Sequence, residues 1–280
     1  MINTVSELKV ILADSELASF EMAELPILDT GEKALAIQVK SENALSSWQI
    51  MRDKLEETKR WPVLVWPLVF SAKIQNTWGK DTQLFDEILQ EQDFFARRSF
   101  NNKSVQTIIN YSKNVNIQQS LTQLYQNRQY DENLVDYLDY LEDDLWTREE
   151  KFGYYLDIET IENLVDSEDL QTVKDLEYCL FKWEIKEFPA EKALKNDYPV
   201  YSHWFDPSPD KIVLLLMPTI NHWEILAYIH WYGSDDYSEL VIALLKNWHE
   251  KYGSELICHY GTMLQLTTKT LPSSPDEAFQ

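Results

Sequence analysis

The arrangement of apolar residues between Lys211 and Lys269 constrains the fold of this chain more strongly than any other feature. A continuous apolar run, Ile212–Met217, ends at Pro218 and has the length of a strand that is covered on both faces. From His222 to Tyr232 large apolar residues occupy every second position, which is typical of a half-buried strand. Because only a few residues separate the two segments, they predict an antiparallel hairpin.

The period of the pattern changes after this predicted hairpin. Between residues 237 and 252 apolar positions recur at intervals of three and four, which predicts an amphipathic helix. Gly253 stands where the end of a helix favours a positive φ. Two more alternating segments follow, at 255–260 and 262–268, so the predicted order is strand, strand, helix, strand, strand.

Both ends of the chain carry helix signals. Thr4 and Glu7 have the spacing of a capping box, which predicts a short N-terminal helix. Ser274 precedes a proline and acidic residues that suit a first turn. Since one turn is unstable alone, we expect either that the natural chain continues past Gln280 or that this end is frayed. The N-terminus lacks the basic segment and apolar core of a signal peptide.

The N-terminal part of the chain predicts a strand, a helix and a second strand. Apolar alternation at 34–39 indicates the first strand, and the run at 63–70 indicates the second. Between them, Ser41 is predicted to cap a helix whose inward stripe includes Trp48 and Arg52. This strand-helix-strand unit is similar to a βαβ unit.

The middle of the chain predicts helices and holds most of the negative charge. Residues 131–210 carry 23 acidic and 7 basic side chains, a net charge of −16. We therefore predict an α+β protein with a mixed or antiparallel sheet built from residues 1–70 and 211–280 and interrupted by an acidic helical insertion at 71–210. The predicted helices of the insertion are at 82–95, 105–112, 118–126, 132–146, 158–165 and 170–181.

The overall composition excludes several classes of function. A net charge of −22 disfavours nucleic acids and anionic membranes and favours a basic protein partner. No apolar run approaches the length of a membrane span, and with no signal peptide we predict a cytoplasmic protein. Only six glycines are present, which argues against glycine-rich phosphate loops. We predict no cofactor.

The acidic insertion offers a candidate binding surface. Asp139, Asp143 and Asp144 lie beside a predicted leucine stripe and could dock a basic partner. The alternative is a solvated helix face that keeps the protein in solution. A calcium loop would need alternating Asp and Asn, a central Gly and a late Glu, and this pattern is missing, so we predict no metal site.

A second candidate site lies on the predicted strand at 222–232. His222, Glu224, Tyr228 and His230 share the polar face, where a histidine could act as an acid–base group. The spacing of zinc-binding histidine pairs is absent. The alternative is that these are structural or surface side chains. The following loop adds candidate binding residues that could line an aromatic pocket: Trp231, Tyr232 and Asp235.

Part of the C-terminal region also carries a family resemblance. The residues concerned are Trp223–Tyr228 with Trp231-Tyr232-Gly233, Trp248–Glu255, and Leu271-Pro272 with Asp276-Glu277-Ala278. They resemble the bacterial family called domain of unknown function 4253. Tyr232, Ser234 and Asp235 stand where that family has Gly, Trp and Asn. The resemblance covers about a quarter of the chain, with a weaker similarity at Leu35–Val65, and it implies a fold and no known activity.

The sequence leaves two functions open. The first is a non-enzymatic protein-interaction module with an acidic docking surface. The second is a small-molecule binder or weak hydrolase that uses the His222/Glu224/Tyr228/His230 face. We favour the first because no nucleophile motif or phosphate loop is present. Oligomeric state is not predicted.

Overall fold

The structure is a computed structural model, and it describes residues 1–27, 30–65, 103–127, 158–168, 170, 172–187, 211–229, 238–259 and 264–279. Contacts divide the chain into two compact units. The sheet unit comprises Met1–Val115 with Val200–Leu271, and the helical unit comprises Asn116–Pro199 with Pro272–Gln280. None of the described helices is both long and apolar enough to cross a membrane.

The described strands are β1 (Met22–Pro26), β2 (Lys33–Lys40), β3 (Trp61–Val65), β4 (Lys211–Met217), β5 (Glu255–His259) and β6 (Leu264–Thr267). The described α-helices are α1 (Val5–Ile11), α2 (Ala44–Asp53), α3 (Leu55–Thr58), α4 (Val105–Ser112), α5 (Ile117–Asn127), α6 (Ile158–Glu168), α7 (Val173–Glu187), α8 (Ile225–Tyr228), α9 (Ser238–Tyr252) and α10 (Pro275–Phe279). Short 3₁₀ turns lie at Glu16–Ser19, Ser41–Asn43 and His222–Glu224.

The six described strands form one mixed sheet in the order β1-β2-β4-β3-β5-β6. β4 pairs antiparallel with both β2 and β3, and β3 pairs parallel with β5. The outer strands β1 and β6 pair antiparallel with their neighbours. The two ends of the chain are therefore interleaved, which confirms the predicted α+β fold with a mixed sheet built from both ends and helices between them.

The apolar run of β4 places that strand inside the sheet. Residues 212–217 are all buried, and Leu214 is paired with Ile37 on one side and Leu64 on the other. A strand that is flanked on both edges and covered on both faces needs apolar side chains at every position, as the sequence predicts.

The prediction of a second strand in this hairpin is wrong. His222–Glu224 forms a 3₁₀ turn and Ile225–Tyr228 forms α8. All residues from Ile225 to Ile229 are buried, so alternation there does not separate an inner face from an outer one. The predicted β-strand pair is replaced by β4 followed by the short helix α8.

Other local predictions are confirmed or shifted by a few residues. The hydroxyl of Thr4 accepts from the backbone N–H of Glu7 at 3.2 Å, and the Glu7 carboxylate accepts from the N–H of Thr4 at 2.9 Å. This is the predicted capping box. Gly253 has a φ of +62° at the end of α9, as expected. Ser41–Asn43 forms a 3₁₀ turn, so α2 begins at Ala44 and Ser41 is not its cap.

A buried arginine joins three parts of the sheet unit. Arg60 is 0% exposed, and burial lowers its pKa. Its guanidinium donates to the carbonyl oxygens of Ile2 at 2.6 Å, Lys33 at 2.7 Å and Leu216 at 3.1 Å, and to Oδ1 of Asn3 at 3.1 Å. The N-terminal segment, β2 and β4 are thereby tied together through one side chain.

The helical unit has its own small core. Ile161 of α6 and Leu176 of α7 are buried against each other, with partly buried apolar residues around them. Phe279 of α10 packs on Tyr178 and Phe181 of α7 at ring distances of 4.8 and 5.6 Å.

The predicted helices at 105–112, 118–126, 158–165 and 170–181 match α4 to α7 within a few residues, whereas those at 82–95 and 132–146 lie outside the described residues.

Candidate functional site

An open cleft in the sheet unit lies between helix α2 and the strand pair β5–β6. Its volume is about 460 Å³, which falls in the range of roughly 300–1,000 Å³ of small-molecule sites. The lining residues are Leu45, Trp48, Gln49, Arg52, Asp53, Gly253, Glu255, Ile257, Thr267 and Lys269. These residues define the cleft, and all belong to the sheet unit.

Helical spacing brings the α2 side chains to one wall of the cleft. Leu45, Gln49 and Arg52 are separated by four and three positions, so they lie on one side of the helix. Trp48 lies beneath them, only 4% exposed, and its Nε1 donates to the carbonyl oxygen of Pro62 at 3.0 Å. That bond holds the indole in place as an apolar base of the wall.

The opposite wall comes from β5, β6 and the residues that follow. Glu255 and Ile257 of β5 both line this wall. Glu255 is paired with Thr267 of β6, and the register of the two strands shifts at Ile257, which is a β-bulge. Bulges often occur beside functional sites because they redirect a side chain.

The centre of the cleft is a two-point ion pair. Nε of Arg52 donates to Oε2 of Glu255 at 2.8 Å, and Nη2 donates to Oε1 at 2.5 Å. The guanidinium also lies over the ring of Trp61, 4.8 Å from its centroid, and Nε1 of Trp61 donates to the carbonyl of Leu256 at 3.0 Å. The arginine is therefore held in one orientation.

This pair keeps a nearly buried carboxylate charged. The Glu255 side chain is only 7% exposed, and the Arg52 side chain is 27% exposed. Burial opposes the ionisation of Glu255, but the hydrogen bonds from Arg52 and the charges of Arg52 and Lys269 outweigh it and lower the pKa of Glu255. The hydrogen bond to Glu255 in turn raises the pKa of Arg52.

Gly253 positions the lysine of the cleft. The N–H of Gly253 donates to the carbonyl of His249 at 2.9 Å and ends α9 with a positive φ. A Cβ added at Gly253 would stand 2.9 Å from Cδ of Lys269, so the lysine stem passes directly over this glycine. The N–H of Lys269 donates to the carbonyl of Tyr252 at 2.9 Å, which fixes the backbone below the stem.

Of the sequence-predicted site residues, His222 lies in an aromatic cluster beside this pair. Its ring is 5.2 Å from that of Trp61, 5.1 Å from that of Trp223 and 5.0 Å from that of His249. The ring is 1% exposed, and neither ring nitrogen makes a hydrogen bond in the described part of the chain, although the Ser254 backbone lies near it. Burial, with a smaller effect of His249, lowers the pKa of His222 to about 3.

The hydrogen bonds of Glu224 and Tyr228 do not involve His222. The Glu224 carboxylate accepts from Oγ1 of Thr219 at 2.6 Å, and the Tyr228 hydroxyl is buried and donates to the carbonyl of Pro218 at 3.5 Å. These bonds lie within one turn region and not on a strand face. The remaining predicted residues lie outside the described residues: His230, Trp231, Tyr232, Asp235, Asp139, Asp143 and Asp144.

Sequence reasoning missed the residues that form the cleft. The sequence pattern places Arg52 on the inward stripe of a helix and makes Glu255 only the first residue of a predicted strand. An arginine in an apolar stripe and an acid opening a buried strand are each signals of a paired charge. Among the described residues, no three His, Cys, Asp or Glu side chains lie close enough to hold a metal ion.

Comparison with known families gives one match, to the domain of unknown function (DUF4253), over residues 213–280. It agrees with the resemblance carried by the C-terminal motifs. No curated protein and no solved structure matches the chain. The matched segment supplies the wall of the cleft that contains Gly253, Glu255 and Lys269, whereas Arg52 comes from outside it.

Proposed function

We propose that the sheet unit binds a small polar molecule and that the cleft is the binding site. The observation that supports this most directly is the state of Arg52. Two of its nitrogens are held by Glu255 and its face rests on Trp61, while Nη1 makes no hydrogen bond to any described residue. A fixed guanidinium with an unused donor nitrogen, on the wall of an open cleft, is suited to bind an acceptor group.

Pre-organisation strengthens the proposal. Ordering a long side chain on binding costs roughly 0.5–1.5 kcal/mol, and the contacts to Glu255 and Trp61 meet that cost during folding. Leu45, Trp48 and Ile257 add apolar wall around the polar centre. Six of the ten lining residues have polar or charged side chains, which suits a polar ligand.

Hydrolysis is not part of this proposal. His222 is buried, and with a pKa of about 3 it is neutral near pH 7. It does not line the cleft, and neither do Glu224 or Tyr228. Binding without catalysis is therefore the function that the geometry supports best.

A fragment screen by NMR tests the proposal. We expect small polar fragments to shift the amide resonances of Gly253, Ile257 and Thr267. The shifts should disappear in Arg52→Met and persist in Lys40→Met, whose lysine is exposed on β2 and does not line the cleft. Fragments that leave the three amides unchanged, or that bind equally well to Arg52→Met, would contradict the proposal.

The charge distribution favours a second candidate function, docking of a basic protein. Residues 131–210 carry a net charge of −16, and the described part of this segment includes helices α6 and α7. We expect binding to an immobilised basic protein such as histone at low salt and its loss near 0.3 M salt, since exposed charges are then screened. Replacing Asp139, Asp143 and Asp144 with Asn should weaken the binding; an unchanged affinity would contradict a role for these residues.

A further inference from the structure

We propose that the ligand of the cleft is a small zwitterion of amino-acid chemistry. Its carboxylate would lie between Arg52 and Lys269, and its ammonium group would face Asp53. The inference rests on the proposed binding function and adds the chemical class of the ligand, which neither the sequence motifs nor the family match supplies.

The carboxylate end follows from the charges around Glu255. Two cationic side chains, Arg52 and Lys269, act on this one carboxylate, and both lower its pKa. Glu255 uses both of its oxygens on Arg52. Nη1 of Arg52 and the Lys269 ammonium therefore remain as donors without a hydrogen-bond acceptor among the described residues. A carboxylate is the group that guanidinium and ammonium donors bind best together.

The lysine is constrained as well as charged. Its stem passes over Gly253 so closely that a Cβ there would lie 2.9 Å from Cδ. The backbone N–H groups of Lys269 and Thr270 both donate to the carbonyl of Tyr252, at 2.9 and 3.1 Å. These contacts limit where the ammonium can go, and so a ligand group placed near Glu255 remains within its reach.

The cleft also holds a second carboxylate, that of Asp53. Asp53 follows Arg52 at the end of α2 and is exposed to solvent. Its Oδ1 accepts from Nε2 of Gln49 at 2.8 Å, and its Oδ2 makes no hydrogen bond within the described residues. Gln49 also lines the cleft, so it orients the carboxylate within the site. An oriented carboxylate that retains an acceptor oxygen complements an ammonium group.

Long-range charge selects a zwitterion over a simple anion. The lining residues carry two positive and two negative side chains, which leaves the cleft neutral. The whole chain carries −22, so its field repels phosphates and dicarboxylates during approach. A molecule with a carboxylate and an ammonium group has no net charge and avoids this repulsion. Free amino acids and short peptides share this chemistry.

Titrations with matched probes test the inference. Leucine and the dipeptide alanyl-leucine are compared with leucinamide, which lacks the carboxylate, and with N-acetylleucine, which lacks the ammonium group. We expect leucine, alanyl-leucine or both to bind. We expect the amide of the molecule that binds to have an affinity at least about tenfold lower, because the loss of one ion pair in a cleft has an effect of that order. Whether leucine or the dipeptide binds more tightly separates the two sources of this chemistry.

Variants localise the effect. Lys269→Met should weaken zwitterion binding about tenfold and leave the affinity for leucinamide unchanged, because the amide makes no ion pair with the lysine. Lys246→Met is the matched control, because Lys246 is an exposed lysine on α9 outside the cleft. Lys269 is exposed and forms no ion pair with the described residues, so the variant should fold normally.

The outcomes separate this inference from the binding function on which it rests. Equal affinity for leucine and leucinamide, or unchanged affinity of Lys269→Met, overturns the inference. Fragments that bind in the cleft while every zwitterion fails also overturn it, and the binding function then stands. If no probe shifts the resonances of Gly253, Ile257 and Thr267, both fall.

Discussion

Two arginines of the sheet unit, eight positions apart in sequence, differ in how many of their hydrogen-bond donors are used within the protein. Arg60 is fully buried and makes four hydrogen bonds, three of them to backbone carbonyls. Arg52 is partly exposed and makes two hydrogen bonds to one carboxylate. Arg60 has its donors directed into the protein, whereas Arg52 keeps a terminal nitrogen on the wall of a cleft.

The difference shows how an arginine that stabilises the fold can be distinguished from one that is available to bind a ligand. A guanidinium has five N–H donors, and burial is tolerated only when nearly all of them find acceptors. Arg60 meets that condition with backbone oxygens, so it links segments of the chain. Arg52 meets only part of it, and its remaining donors lie where a ligand can reach.

Arg60→Met gives the largest expected loss of stability. The methionine fills similar volume but leaves the carbonyls of Ile2, Lys33 and Leu216 without their donor, so the free energy of unfolding should fall by about 3–5 kcal/mol. Urea denaturation measures it. Arg60→Lys keeps the positive charge but lacks the planar set of N–H donors of the guanidinium, so it should restore little of the lost free energy of unfolding. A loss below about 1 kcal/mol would show that water replaces the arginine, and the comparison would fail.

Arg52→Met should have a smaller effect with a distinctive pH dependence. In the native protein the lowered pKa of Glu255 gives stability above its unfolded pKa that is lost as the pH falls. Without Arg52, the charge of Lys269 is the main effect left to oppose burial, and we expect burial to prevail and raise the pKa of Glu255. The stability contributed by this group is then present at low pH and is lost as the pH rises.

We therefore expect Arg52→Met to be destabilised by about 2–3 kcal/mol at pH 8 and clearly less at pH 4.5. Denaturation curves at the two pH values, with Lys40→Met as the control, check the sign. An equal loss at both values would mean that Glu255 does not depend on Arg52 for its charge.

His222→Leu extends the comparison to a buried polar group with almost no partners. The folded pKa of about 3 lies below the unfolded value of about 6.5, so the unfolded chain binds a proton first as the pH falls. Native stability is present above pH 6.5 and is lost as the pH falls towards 3. Between pH 7 and pH 5 the native protein should lose about 2 kcal/mol more than His222→Leu.

At pH 7 the same variant should be as stable as the native protein or slightly more stable, because it removes ring nitrogens that lack hydrogen bonds. Thermal or urea unfolding at each pH measures both the stability difference at pH 7 and the extra loss of stability between pH 7 and pH 5. Parallel pH profiles of the two proteins would show that the ring is accessible to protons in the folded state.

Gly253→Ala should give a small loss of stability and a separate loss of binding. A positive φ at a residue with a Cβ costs about 1 kcal/mol. The new methyl group also meets the stem of Lys269, which must move. We expect unfolding to become about 1 kcal/mol easier and zwitterion affinity to fall several-fold, measured by denaturation and titration. Binding equal to that of the native protein would show that the lysine position is not important.

Much of the sheet could be predicted from the sequence because its signals are local. The apolar run of β4 reports burial at each position, and the apolar residues of β2 mark a strand whose residues 34–37 are all buried. The capping residues of α1 and Gly253 report local geometry. Residues 222–229 mislead because almost all of them are buried, so alternation of residue types carries no information on which face is inside.

The cleft could not be predicted for a different reason. Arg52 and Glu255 meet across 203 positions of sequence, and nothing near either residue specifies the other. Gly253 was predicted to end a helix, which it does, but its contact with Lys269 depends on how β6 returns alongside β5. Sites assembled from distant segments follow from topology, which a pattern of residue types does not contain.

The central position of β4 determines when this protein can fold. Three strands of the sheet are made before residue 66, yet β2 and β3 have no hydrogen-bonded partner between them until residues 211–217 leave the ribosome. Until then both expose open edges, which favours aggregation. Closing such long-range pairings is slow, so we expect the growing chain to depend on chaperones during synthesis.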